Sequence, residues 1–203
     1  MNENRATLLR WLKVLFYIHL AGCLLSALNL AATAVPFSLG TWYTWAQRGV
    51  NLALVVALLL LPGNYRYAGM IKASAMIFGI LPMGLHALLR MDVQTYTYWS
   101  GILSRLSILM NMFALALEYI AHAAAAPGEK SRWYILLSCS LAVTILSYAT
   151  MYLLQPILQT IEMEEYLHFA KAWNVVVRSL GLVLSAANLV LLHRMIRYQE
   201  EAD

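Results

Sequence analysis

The stretch "YWSGILSRLSILMNMFALALEYIAH", residues 98–122, decides the fold. From Trp99 to His122 it is long and apolar enough to cross a bilayer, which takes ~20 such residues. It nevertheless carries Arg105 near one end and Glu118 near the other. Charged groups inside a span are rare and generally face a bundle interior or a cavity. A segment of this kind therefore predicts a helix that is one wall of a larger membrane bundle.

The rest of the chain agrees. Of 203 residues, 62% are apolar and only 12% charged. A water-soluble domain sits nearer half and a quarter. Five further windows are apolar enough to span, which gives spans at about 14–35, 45–61, 68–89, 99–122, 133–154 and 173–195. Pro-Gly turns in "LPGN" (61–64) and "APGEKSR" (126–132) stop the second and fourth spans. Pro82 falls inside the third, where a kink is expected. The expectation is an all-α integral membrane protein, a single domain built as a six-helix transmembrane bundle. Its second polar feature is an amphipathic segment at about 157–172. There Met163, Tyr166, Leu167 and Ala170 form one helical stripe, expected to lie on the outer surface.

Direction follows from the basic residues, which concentrate on cytoplasmic loops. Arg5, Arg10, Lys13, Arg66, Lys72, Lys130, Arg132, Arg194 and Arg197 fall on one side, nine in all. Arg48, Arg90, Arg105, Lys171 and Arg178 fall on the other, only five. Both termini are thus expected in the cytoplasm of a multi-pass protein of the cell membrane. Short loops without an N-x-[ST] sequon suit a bacterial cytoplasmic membrane. "LAGC" at 20–23 has the form of a lipoprotein box, but the apolar run continues a dozen residues past Cys23. The segment is read as an uncleaved first helix. Cys23 and Cys139 each sit in apolar surroundings and are read as packing residues rather than a disulfide.

A threefold pattern runs through the chain. Odd spans open on Arg10-Trp11, Arg66-Tyr67 and Arg132-Trp133; even spans open on Trp45…Arg48, Trp99…Arg105 and Trp173…Arg178. Asn51, Asn111 and Asn188 lie deeper in the even spans. Orientation by positive charge and an aromatic belt account for the odd starts without any repeat. They do not account for arginines on the side where arginine is scarce. The pattern is that expected of three pseudo-repeated hairpins.

These features define the candidate site. Arg105 lies about 9 Å beyond Trp99 at the helical rise, and Arg178 about 7.5 Å beyond Trp173. Either side chain can snorkel outward along its stem, or meet a buried anion. The expectation is an outward cavity lined by Arg105 and Arg178, with Asn111 deeper. The acidic residues Glu162, Glu164 and Glu165 would fold over it as a lid. Glu118 lies near the inner end, where its side chain tilts away from the nearest water and calls for a partner. His122 lies four residues on along the same face, and His19 and His193 lie at comparable depth on the first and sixth spans. A satisfied structural carboxylate, a protonated carboxyl and a proton-accepting site are all consistent with that placement.

No catalytic motif, phosphate-cradling glycine loop or metal-binding spacing is legible, so neither enzyme activity nor a cofactor nor a metal is expected. A net charge of +4 without a basic run argues against nucleic acid. The expected partners are the lipid bilayer, a small anion or lipid headgroup at the arginines, and other membrane subunits. The function expected is a small carrier or membrane-embedded solute-binding component. The alternative is an accessory protein whose charges only anchor helices. Isolated glycines in the spans, Gly69, Gly79, Gly84, Gly101 and Gly181, are read as sites of close helix packing.

Overall fold

The computed structural model describes residues 3–34, 39–89, 92–158 and 163–201. They form six long helices: α1 (Glu3–Ala34), α2 (Gly40–Leu60), α3 (Asn64–Leu89), α4 (Val93–Ala125), α5 (Lys130–Leu158) and α6 (Met163–Glu201). Each contains an uninterrupted apolar window long enough to cross a membrane. A short 3-10 turn, Pro127–Glu129, joins α4 to α5.

The turns follow from local chemistry. Gly63 adopts φ +64°, the left-handed region that favours glycine, and its carbonyl accepts from the N–H groups of Arg66 and Tyr67 as α3 starts. Asp92 caps α4, accepting from the Thr95 N–H at 2.9 Å and the Thr95 hydroxyl at 2.8 Å. Those bonds favour the ionised form and hold the Asp92 carboxyl below the usual carboxylate range.

The helices pack in chain order around a ring, each against the next, and α6 closes the ring against α1. Consecutive pairs are antiparallel, so both termini lie at one end, where Lys13 pairs with Glu200 at 2.7 Å. That end is also tied by Gln199 donating to the Ala125 carbonyl and by Arg132 on Glu129. It holds the main packed core, in which Leu12, Leu15, Leu58, Leu61, Trp133 and Met195 are fully buried. The bundle is thus tightest at its terminal end.

The outer surface is apolar instead of charged. Leu24, Leu52, Ile77, Phe113, Ile135 and Val183, one from each helix, are exposed. In the most apolar window of both α1 and α4 only 6% of residues are buried inside the protein. A surface of this kind is unfavourable in water and suited to lipid.

Residues 163–172 differ from the expectation of a separate surface segment. They are the first turns of α6 and run into the last span without a break. No glycine or proline separates Met163 from Trp173, and Met, Glu, Leu, Ala and Lys all favour helix, so nothing ends the helix there. Among the glycines read as packing sites, only Gly69 meets a neighbouring backbone. A Cβ there would lie 2.9 Å from the Leu59 nitrogen, whereas Gly84, Gly101 and Gly181 face open space.

Candidate functional site

Glu118 projects from α4 into the ring and is only 2% exposed. It accepts from His19 Nε2 of α1 at 2.7 Å, a contact made across the bundle between residues 99 apart in sequence. His122, one turn along α4, turns the same way because residues at i and i+4 share a helix face. Its Nε2 stands 3.7 Å from the same Glu118 oxygen. The Tyr65 hydroxyl of α3 meets His122 Nδ1 at 2.8 Å. His19, Glu118, His122 and Tyr65 therefore form one polar row through α1, α4 and α3. His122 is wholly enclosed, with the Trp133 ring 4.5 Å and the Tyr65 ring 5.2 Å from its own. Of the three histidines at comparable depth, His19 and His122 lie beside Glu118, and His193 packs against Phe16.

On the His19 side of this row opens a cavity of about 340 Å³, in the range of pockets that hold small ligands. Five of the six helices line it: α1, α2, α4, α5 and α6. His19, Leu54, Tyr119 and Asn188 mark its boundary toward the terminal end. From there it passes Cys23, Asn51 and Thr144 and reaches Ser26 and Gly181. Asn188 is 4% exposed, and its side-chain oxygen is buried without a hydrogen-bond partner. The same holds for Trp133 Nε1 in the packed core, so the polar character of the cavity rests on the residues that line it.

The other expected site residues lie elsewhere. Arg178 does not line the cavity. It is turned onto α1, donating to Asn29 Oδ1 at 2.8 Å and Thr33 Oγ1 at 2.6 Å, one turn beyond the cavity's far end. Among the described residues its anchor is thus a pair of neutral acceptors in the α1–α6 seam. Arg105 is exposed on α4 and is likewise not among the lining residues. The cavity expected between two arginines is instead walled by neutral polar groups. Arg48 packs over the Trp45 ring at 5.3 Å, so the three arginines of the hairpin pattern occupy three different settings. Glu165 is exposed; Glu162 and the Glu164 side chain lie outside the described residues, and the acidic lid with them.

Asn111 donates to the Ser107 carbonyl of its own helix at 2.9 Å and borders two lateral grooves together with Lys72. Lys72, counted among the orienting charges of the inner side, therefore sits alongside the middle of α4. Among the three matched asparagines, Asn51 and Asn188 line the cavity and Asn111 does not. Tyr65, Ser140 and Thr144 carried no signal in the sequence, because depth can be counted along a span but facing direction cannot. Among the described residues, no group of three His, Cys, Asp or Glu is placed to hold a metal. Cys23 and Cys139 are both free thiols.

No protein-family model, curated protein or solved structure gives a significant match to this chain.

Proposed function

We propose that the chain crosses the membrane six times with both termini in the cytoplasm, and that it binds a small solute in the central cavity as a carrier or membrane-embedded binding component. The observation that carries this is the cavity of about 340 Å³ itself, walled by five helices and lined by the polar side chains of His19, Asn51 and Asn188. The tight core and polar ties at the terminal end favour a state closed toward the cytoplasm. The cavity extends from that seal toward the other side. Lipid surrounds the bundle in this reading, since exposed apolar side chains occur on every helix.

The test is thermal unfolding of the purified protein in detergent across small organic cations, neutral solutes and anions. At least one class should raise the midpoint, and Asn188→Leu, which removes the polar atom at similar size, should abolish the rise. A panel without any Asn188-dependent shift would return the chain to a structural or accessory role.

A further inference from the structure

Resting on that cavity as the binding site, we propose that its ligand is a small organic ammonium ion, held at His19 in front of the Glu118 carboxyl. The first observation is charge. Among the described residues the lining includes no lysine, arginine, aspartate or glutamate. The one titratable nitrogen base among them is His19, and directly behind it lies the buried Glu118 carboxyl. A buried carboxylate needs a positive charge nearby. A cation in the cavity can supply it.

The second observation is which nitrogen is engaged. Nε2 of His19 is held by Glu118, so Nδ1 is the nitrogen left for the cavity. An N–H of the entering ammonium donates to the Nδ1 lone pair.

Size and wall chemistry select the organic cation over a bare metal ion. About 340 Å³ is far more than a bare ion fills, and the wall mixes aliphatic side chains such as Leu54, Leu115 and Leu184 with neutral acceptors. Arg178, the cation one turn beyond, is already bonded to Asn29 and Thr33.

Charged and titratable groups stand around the cavity on several helices, and Lys72 of α3 borders a groove that shares Leu115 and Thr144 with the cavity wall. α4 contributes Glu118, His122 and Tyr119, and α3 contributes Tyr65 through His122. α6 brings His193 against Phe16, one turn below His19. The lining residues of α2 and α5 are without ionisable groups.

Cys23 lies on the cavity wall one helical turn from His19 and reports on what enters. In a Cys139→Ala background, its modification rates by aminoethyl, sulfonatoethyl and uncharged methyl methanethiosulfonate are compared, each divided by the rate with a free thiol. The ammonium reagent should exceed the sulfonate by about tenfold or more, the scale of one nearby charge in a partly desolvated site. The ratio cancels the ionisation of the thiol itself. Propylammonium should protect Cys23, and propanoate should not. Glu118→Gln should bring the ratio to about unity; if that variant does not fold, protection by propylammonium but not propanoate in the unmutated site carries the same test. Equal rates, or a preference for the sulfonate, with Cys23 still open to the uncharged reagent, would overturn the ammonium proposal alone. Failure of all three reagents would instead overturn the cavity.

Discussion

Glu118 is the residue on which the interior turns, because a buried carboxylate tolerates few neighbours. Removing one member of a buried ion pair leaves the other uncompensated, at a typical cost of ~3–5 kcal/mol. His19→Ala should therefore destabilise by about 3 kcal/mol, the low end, since one edge of His19 reaches the cavity. Glu118→Gln, which keeps a hydrogen-bond acceptor and loses the charge, should cost less. The two changes together should cost no more than His19→Ala alone, because the charge that histidine compensates is gone. Detergent-solubilised unfolding of the four proteins measures this directly; simple additivity would mean that the pair is not coupled. Trp133 makes a matching case without charge. It is fully buried against His122, and Trp133→Ala should lose about 3–5 kcal/mol in the same assay.

At the scale of elements, the close approach of α2 and α3 depends on Gly69. A methyl group there meets the backbone at Leu58 and Leu59, which cannot swing aside as a side chain would. Gly69→Ala should destabilise by about 1–3 kcal/mol, the range for overpacking. Gly101→Ala, facing open space, should be neutral or slightly stabilising through better helix propensity. The start of α4 offers a pH test. The Asp92 carboxyl titrates below its ordinary value, so its cap is in place at neutral pH and above the unfolded value. Its contribution falls away as pH drops through the lowered one. Asp92→Ala should lower the melting temperature at pH 7, and the gap from the parent should close under strong acid. Asp92→Asn, which still accepts from the Thr95 N–H, should remove most of the pH dependence and little of the stability.

The elements were largely legible beforehand. Apolar run length located all six helices and Pro-Gly located two turns, because both are properties of the local chain. The depth of Glu118, His19, His122 and His193 was also legible, since depth along a span follows from counting residues; which histidines face Glu118 was not. What could not be read was direction around each helix. Arg178 facing α1, Asn111 on an outer groove and Asn188 on the cavity are differences of azimuth, and a span apolar on nearly every side gives no stripe to fix it. The run from Met163 into the last span escaped for a related reason. An amphipathic stripe shows that a segment is helical, not that it stops where the apolar run begins.

For the whole molecule, six antiparallel helices place Gln94 and Ser131, both exposed, at opposite ends of the bundle. In intact cells an impermeant thiol reagent should label Gln94→Cys and spare Ser131→Cys, each in a background lacking Cys23 and Cys139. Labelling of Ser131→Cys alone would invert the orientation. The ring also makes a claim about its centre: the space beside His19 and Asn188 is a hydrated site and not a gap in packing. Cys23 is built into its wall, while Cys139 is exposed on the apolar outer surface of α5. The most direct measurement is modification of Cys23 by uncharged methyl methanethiosulfonate in folded Cys139→Ala protein, with and without Ser185→Trp, which fills the cavity from α6. The account predicts ready modification of Cys23 and its suppression by the tryptophan. A Cys23 that reacts only after denaturation, or that reacts equally with the cavity filled, would contradict it.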